Sequence, residues 1–389
     1  MDFTFKQEEE ELLREVRLFL KEHVTPELLA ETRELGPIYG GKEARKFVKK
    51  FGDRGWLTPN WPKTYGGLNT SEMINYAIRD ELCYALGIFM SFVAAHMAGP
   101  TIIRFGSEEI KKEFLLPIAR GEIEFALGYT EPDAGSDLLA LAMRAEDKGD
   151  HFLLNGRKTF NTSCHVADFH WLAARTDLEA PKHKGISMFI VDLKSTGITI
   201  NPMVTMAGYR TNEVFYDNVV VPKKNLVGEK NKGANYLMAA LDFERMFPPS
   251  AYRKLFEEIT EYAKGTIVVG KPLSENPVIQ QKLAQIAIEL EVARLLYYQL
   301  PYMLDKGRIP NYQSSMEKTF ATELAQRITN TAMEILGMCG QIKQGSKWES
   351  LGGRAEHYYR MSVVETIYGG TSEIQRNIIA VRGLGLPRR

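Results

Sequence analysis

The chain has 389 residues, of which 44% are hydrophobic and 25% charged. That balance suits a soluble globular protein of two or three structural units. Lys plus Arg number 49 and Asp plus Glu number 49, so no net charge favours nucleic acid or an anionic membrane, although a local basic groove stays open. Cys83, Cys164 and Cys339 are odd in number, far apart and without a CxxC pair. Reduced, buried thiols are expected, not a disulfide framework or a zinc site. The start, Met1-Asp2-Phe3-Thr4-Phe5-Lys6-Gln7, lacks the order of a signal peptide. No run reaches the roughly 18 apolar residues of a spanning helix. The expectation is a cytoplasmic protein with no membrane span.

In chain order, the first third reads helical. Leu12, Leu13, Val16, Phe19 and Leu20 recur at helical spacing behind the acidic start Glu8–Glu11. A second element begins at Pro26. Turn chemistry follows at Gly36-Pro37 and Gly40-Gly41, and Pro59 through Gly67 reads as a long structured loop. Helical patterns return over Ser71–Ala85, Phe92–Phe105 and Glu108–Arg120. From about Gly121 the pattern becomes short and strand-like: Phe152–Leu154, Trp171–Arg175, Ile186–Val191, Gly197–Ile200, Glu213–Tyr216 and Val219–Pro222. After Gly233 helices resume over Asn235–Phe247, Ala251–Ala263, Ile279–Lys306, Met316–Leu336 and Arg354–Ile367. The fold class expected is mainly α with a central β domain. An N-terminal helical domain (1–122) precedes a middle β-barrel or sandwich (123–232) and a C-terminal helical bundle (233–389). The order is not alternating βα, which argues against a doubly wound dinucleotide fold.

Neither GxGxxG nor GxxxxGK[ST] is present in a phosphate-binding context, GxSxG is missing, and the seven His form no HxxxH or HExxH pair. No metal is expected. Four segments stand out instead. Gly128–Asp137 packs Pro, two Gly and small polar residues between a helical and a strand segment. Such a loop can aim N–H groups and hydroxyls at an anion or a ring edge, and it also reads as a plain connector. In Asn155–Thr162, Phe160 and Thr162 are two apart. On a strand they would offer a stacking face and a hydrogen bond to one planar group; a core Phe is the alternative. In Leu237–Arg245, Glu244 falls on the face of Leu237, Ala240 and Leu241. A carboxylate on an apolar stripe has its pKa pushed up, as a general base requires, and a surface ion pair is the alternative. Pro248 should end or kink that helix. In Ile367–Arg376, Gly369-Gly370 breaks one helix, and Thr371 or Ser372 can cap the next. That is a natural phosphate site, or simply an interhelical turn.

Together these segments resemble the acyl-CoA dehydrogenase family over nearly the whole chain. Gly128–Asp137 is similar to its YxEPxAGSD loop and Asn155–Thr162 to its NGxKxWIT strand. Tyr216–Gly228 is similar to its FxDVxVPxxNxxG segment, Tyr368–Arg376 to its YEGTxxIQR terminus, and Trp61–Gly67 to its PxxYGG loop. The resemblance implies a C-terminal four-helix bundle, a tetramer, FAD and an acyl-CoA thioester. It also implies α,β-desaturation in fatty-acid β-oxidation, with the β-hydride passing to flavin N5 and electrons leaving to an electron-transfer flavoprotein. By position it implies that Leu127, Tyr129, Thr130 and Ser136 line the flavin and thioester, and that Phe160 and Thr162 flank the isoalloxazine. It places Thr371 and Glu373 at the FAD adenosine side and adds Glu334 and Met338 to the cofactor contacts. Ser136, Asp242, Arg245 and Gly370 fall to acyl-CoA. Phe243, Met246 and Phe247, near the candidate base, suggest an apolar pocket.

Three departures qualify it. The family's commonest base is the Glu of YEGT, and that position is Gly369 here. The isovaleryl-CoA dehydrogenase branch is similar in carrying its base in a helical LxxER, which Leu241–Arg245 matches, so the resemblance also points to Glu244. Phe160 replaces the usual Trp. The family's RxxFG, whose Arg reaches a neighbouring subunit's FAD, is Thr266-Ile267-Val268-Val269-Gly270, without Arg. Members acting on steroid side-chain CoA thioesters look like heterotetramers in which one chain keeps the base and the other supplies missing FAD contacts. A homotetramer with other FAD contacts is the alternative. An oxidase of the same fold and a non-catalytic partner subunit also stay open, Glu244 and Arg245 speaking against the latter.

Overall fold

The structure, a computed structural model, describes residues 2–35, 41–87, 91–244 and 247–387, with side chains 33–35 and 239–244 outside the description. Its helices are α1 (Gln7–His23), α2 (Pro26–Leu35), α3 (Lys42–Gly52), α4 (Glu72–Leu86), α5 (Gly99–Phe105), α6 (Glu108–Ala119), α7 (Gly233–Glu244), α8 (Ser250–Gly265), α9 (Pro277–Asp305), α10 (Tyr312–Leu336), α11 (Arg354–Glu365) and α12 (Ser372–Ile378). The strands are β1 (Phe125–Gly128), β2 (Arg144–Asp147), β3 (His151–Lys158), β4 (Phe169–Arg175), β5 (Ile186–Asp192), β6 (Ile198–Val204), β7 (Arg210–Pro222), β8 (Leu226–Val227), β9 (Ile267–Val268) and β10 (Lys271–Pro272). The chain divides into two compact units. A helical unit holds Met1–Lys21, Glu72–Ile88 and Arg245–Arg389; a sheet unit holds Glu22–Ser71 and Phe89–Glu244.

In the sheet unit the strand order is β6-β7-β3-β2-β4-β5-β8, with β1 parallel to β4. Alternation decides which residue faces which core. Trp171 and Ala173 of β4 and Met188 and Ile190 of β5 pack on Ile102, Phe114, Ile118 and Leu237 from helices. Leu172 and Ala174 of β4 and Phe189 and Val191 of β5 face a second core with Phe152, Leu154, Val214, Val219 and Val221 of β3 and β7. That is the packed interior of a small sandwich, buried on both faces of β4 and β5.

Two readings change here. Asp217-Asn218 does not separate two strands, because β7 runs through it. Asn218 adopts φ +50° opposite a register shift between Leu154 and Gly156, and the Asn155 side-chain oxygen accepts the Asn218 N–H at 2.8 Å. A bulge absorbs the turn chemistry. Phe92–Phe105 is not one regular helix. Phe92–Ala98 is a π-helical stretch that hands over to α5 at Gly99-Pro100. A Cβ on Gly99 would lie 2.1 Å from the Trp61 ring, so the buried Trp61 requires glycine there.

In the helical unit, α8, α9, α10 and α11 share one core built on Leu255, Ile259, Ala293, Leu324, Ala325 and Ile328. Asn276 caps α9 by accepting the Val278 N–H at 2.9 Å. Among the described residues no helix is long and apolar enough to cross a membrane, and no group of His, Cys, Asp or Glu could hold a metal ion. Cys83 and Cys164 are free and buried, while Cys339 is free but only half-buried.

Candidate active site

In the sheet unit, the loop after β1 is pinned from within. The Glu131 carboxylate accepts the N–H groups of Ala142 at 2.7 Å and Met143 at 3.0 Å. It also accepts the Lys158 ammonium at 2.7 Å. Lys158 ends β3 with no solvent exposure and donates as well to the Tyr129 carbonyl at 3.1 Å. Burial pulls the ammonium down to about 8, against the attraction of Glu131. A buried, fully paired ion thus joins the two motif segments. No periodicity links positions 27 apart, so the sequence by itself does not pair Glu131 with Lys158.

On this base the expected contacts are placed as follows. Leu127 is half-buried, and its carbonyl accepts the Asn161 amide at 2.9 Å. Thr130 is half-buried, with its carbonyl accepting the Thr159 N–H at 2.9 Å. Ser136 is exposed on the loop. The Tyr129 side chain is buried, and its hydroxyl accepts the Trp171 indole N–H at 2.8 Å, so the ring belongs to the core.

Phe160 and Thr162 do not sit on a strand, because β3 stops at Lys158. Phe160 adopts φ +55°, and the Thr162 N–H turns back to its carbonyl at 3.0 Å. The backbone strain of a left-handed Phe holds the ring 62% exposed. That rules out a core Phe and leaves an aromatic face open for stacking. Thr162 is half-buried, its hydroxyl 3.3 Å from that of Thr211.

In the helical unit, Gly369 and Gly370 take φ +63° and +87°. The turn is held by the Gln375 side-chain amide, which donates to the Gly369 carbonyl at 2.7 Å, and by Lys318, which donates to the Gly370 carbonyl at 3.0 Å. Thr371 then caps α12 by accepting the Ile374 N–H at 3.2 Å. Glu373 is exposed; its own N–H and the Thr371 hydroxyl hold its carboxyl below the usual range. Thr371 and Glu373 line a polar cleft of about 500 Å³ with Gln326, Asn330, Thr366 and Ser372. The cleft's charges are balanced: Arg376 is held by Glu323 at 2.7 Å, and Arg327 by Glu289 at 2.7 Å. Glu323, Gln326, Arg327 and Asn330 recur at helical spacing on α10. That polar stripe is the signal in the sequence for the cleft wall.

Glu334 and Met338 do not line this cleft. Glu334 is exposed and paired with Lys282, and Met338 is 82% exposed. The backbone of Asp242, Phe243 and Glu244 ends α7. The side chains of these three, and all of Arg245 and Met246, lie outside the described residues. Phe247 and Pro248 are in no helix.

Taken by itself, the sheet unit offers an exposed aromatic face with a neighbouring hydroxyl, suited to a flat ring system. The helical unit, taken by itself, offers a cleft rich in hydroxyl and amide groups, suited to a hydrogen-bonding nucleoside. The fold, helices then sheet then helices, is that of a flavin-dependent oxidoreductase. The chain belongs to the acyl-CoA dehydrogenase family. The N-terminal, middle and C-terminal acyl-CoA dehydrogenase domains match residues 6–122, 126–219 and 231–384. It is 36% identical over 399 aligned residues to acyl-CoA dehydrogenase FadE26 of Mycobacterium tuberculosis, covering 100% of this chain and 99% of that one. It is similar to the solved Tcur3481-Tcur3483 steroid ACAD (TM-score 0.93, 35% identity) and to the ChsE4-ChsE5 complex from Mycobacterium tuberculosis (TM-score 0.92, 35% identity), covering 100% of each chain. The chemistry is FAD-dependent oxidation of an acyl-CoA thioester.

Proposed function

We propose that this chain is the base-bearing subunit of an acyl-CoA dehydrogenase for bulky, cyclic acyl groups such as a steroid side-chain CoA thioester, with Glu244 as the α-proton base. The observation that carries this reading is the Gly369-Gly370 turn. Gly369 supplies no carboxylate, and its φ of +63° is one that side-chain-bearing residues rarely adopt. The base must come from elsewhere. Glu244 at the end of α7, followed by Arg245, is the carboxylate that the LxxER pattern supplies. Of the two similar solved structures, one is a steroid enzyme and both pair two different chains, which supports the substrate class and a second chain.

When bound, FAD supplies the two-electron acceptor for the bond being oxidised. The chain's own residues do the rest. Phe160 offers a face to the ring, and Thr162 offers it a hydroxyl. Thr371 and Glu373 hold the adenosine side. Ser136 and Gly370 meet the thioester, with Asp242, Phe243 and Arg245 on the acyl-CoA. Glu244 takes the α-proton and keeps it. Electrons then leave to an electron-transfer flavoprotein. In an oxidase they would go to oxygen, and peroxide formed when the substrate-reduced protein meets air would reveal that case.

The test is Glu244→Gln in the flavin-loaded protein, mixed anaerobically with a panel of straight, branched and steroid CoA thioesters. A positioned base is worth about 10²–10⁴-fold. Bleaching of the flavin bands should slow by at least that lower figure while flavin content stays at the wild-type level. An unchanged bleaching rate would end the assignment of Glu244. A preference for straight chains would end the substrate class.

A further inference from the structure

Two consecutive charged residues of α10, Glu317 and Lys318, are buried in the helical unit with 0% and 2% exposure. Neither is used in the reaction as described above. Burying an ionisable side chain is costly unless it is well paired, so two in a row on a core helix call for a purpose. The partners are informative. Both oxygens of Glu317 face the Phe247 N–H, at 3.3 and 3.2 Å. Burial pushes its carboxyl well up, while the Phe247 N–H, Lys318 and Arg79 favour the charge. Lys318 donates to two backbone carbonyls, Gly370 at 3.0 Å and Glu365 at 2.9 Å. The Glu365 side chain accepts the Tyr252 hydroxyl at 2.5 Å, so the last residue of α11 is held through both its main chain and its side chain.

Phe247 is three residues beyond Glu244, and Gly370 is the acyl-CoA turn. One step of α10 therefore grips the backbone on both catalytic segments. We propose that Glu317 and Lys318 are positioning residues for the reaction: Glu317 fixes the chain that follows the base, and Lys318 fixes the Gly369-Gly370 turn. This rests on the roles given above to Glu244 and Gly370. The energetic leverage is large, because a displacement of about 1 Å in a reacting group can cost about 10²-fold in rate.

The experiment uses Glu317→Leu, Glu317→Gln and Lys318→Met in the flavin-loaded protein, co-produced with a second chain where flavin loading needs one. Amide hydrogen exchange by mass spectrometry gives a readout independent of turnover. Glu317→Leu should speed exchange in the peptide containing Phe247, and Glu317→Gln, which keeps an acceptor oxygen, should restore protection. Lys318→Met should speed exchange over residues 366–372. On the thioester that the wild type oxidises fastest, Glu317→Leu should lower kcat by about 10–100-fold with KM changed less than about threefold. Glu317→Gln should stay within about threefold of the wild type. Lys318→Met should raise KM by about tenfold or more. Wild-type kinetics in the Leu and Met variants would overturn the proposal, as would faster exchange spread over the whole bundle or failure of Glu317→Gln to restore kcat. Full turnover in Glu244→Gln would remove the base assignment by itself, while the exchange pattern would still report whether the two grips exist.

Discussion

Lys158 and Glu131 have almost no access to water, and they form an ion pair at 2.7 Å. Removing one partner leaves a buried ion unpaired, which costs about 3–5 kcal/mol. Lys158→Met should therefore lower the unfolding free energy of the protein by about that amount in urea titration. The double change with Glu131→Gln should recover part of it. A loss under 1 kcal/mol would mean that water reaches the pair. Glu124 is a second buried acid in the sheet unit. Its carboxylate accepts the Ser91 hydroxyl, and its N–H donates to Asp168 at 2.9 Å. Burial raises its carboxyl to about 8, against the Ser91 hydrogen bond and the Arg45 charge. Between about pH 4.5 and 8 the folded chain thus keeps a proton that the unfolded chain has released. Stability falls as pH rises through that window, by up to about 1.4 kcal/mol per pH unit. Glu365, raised to about 8 by burial, pulls in the same direction in the helical unit. Glu124→Gln should flatten the decline of melting temperature from pH 5 to 8, and an unaltered slope would contradict the shift. At this scale the sequence revealed which residues are chemical but not how they are held. Phe160 was legible as an aromatic beside a hydroxyl. Its exposure depends on a left-handed backbone that no periodicity announces.

Helices were the legible elements. The expected α8, α9 and α10 agree with the observed Ser250–Gly265, Pro277–Asp305 and Tyr312–Leu336 within a few residues, because their apolar stripes are long. β1, β2 and β8 are two to four residues long. They exist because neighbouring strands complete their ladders, which no local pattern records. Glycines separate two kinds of element. A Cβ at Gly67 would lie 2.2 Å from the Trp61 carbonyl oxygen, whereas one at Gly135 meets nothing within 4 Å. Gly67→Ala should cost at least about 2 kcal/mol through backbone displacement, and Gly135→Ala under about 0.5 kcal/mol. Comparable melting temperatures for the two variants would refute the contrast. Gly135→Ala has a second use, since the added methyl projects into open space on the motif loop: reduced flavin or thioester affinity in a fully stable variant would show that the space is occupied in the working enzyme. Thr371→Ala removes a helix cap worth about 1 kcal/mol at the head of α12. Flavin retention should fall with it, while Thr371→Ser keeps both.

The whole molecule folds out of chain order. α4 groups with the C-terminal helices, and α3, α5 and α6 group with the sheet. A linear reading sees helices, then strands, then helices, and cannot see that the first helical segment is shared out, because the grouping is set by long-range packing. The segment matching the family's RxxFG is a short hairpin of β9 and β10, with Val269 98% exposed and no Arg. The chain produced alone should therefore hold less than one flavin, and a second acyl-CoA dehydrogenase chain should restore loading and shift the native mass to a mixed oligomer. A fully loaded homotetramer would instead mean that other residues replace the missing Arg.

The measurement that bears most directly on the central claim is the visible absorption spectrum of the purified protein, alone and co-produced with such a chain, before and after anaerobic addition of a steroid side-chain CoA thioester. The loaded protein should show the two bands of oxidised flavin, bleached by the thioester in the wild type and not in Glu244→Gln. Protein that takes up no flavin in either form, even with added FAD, or that holds flavin no CoA thioester bleaches, would contradict it.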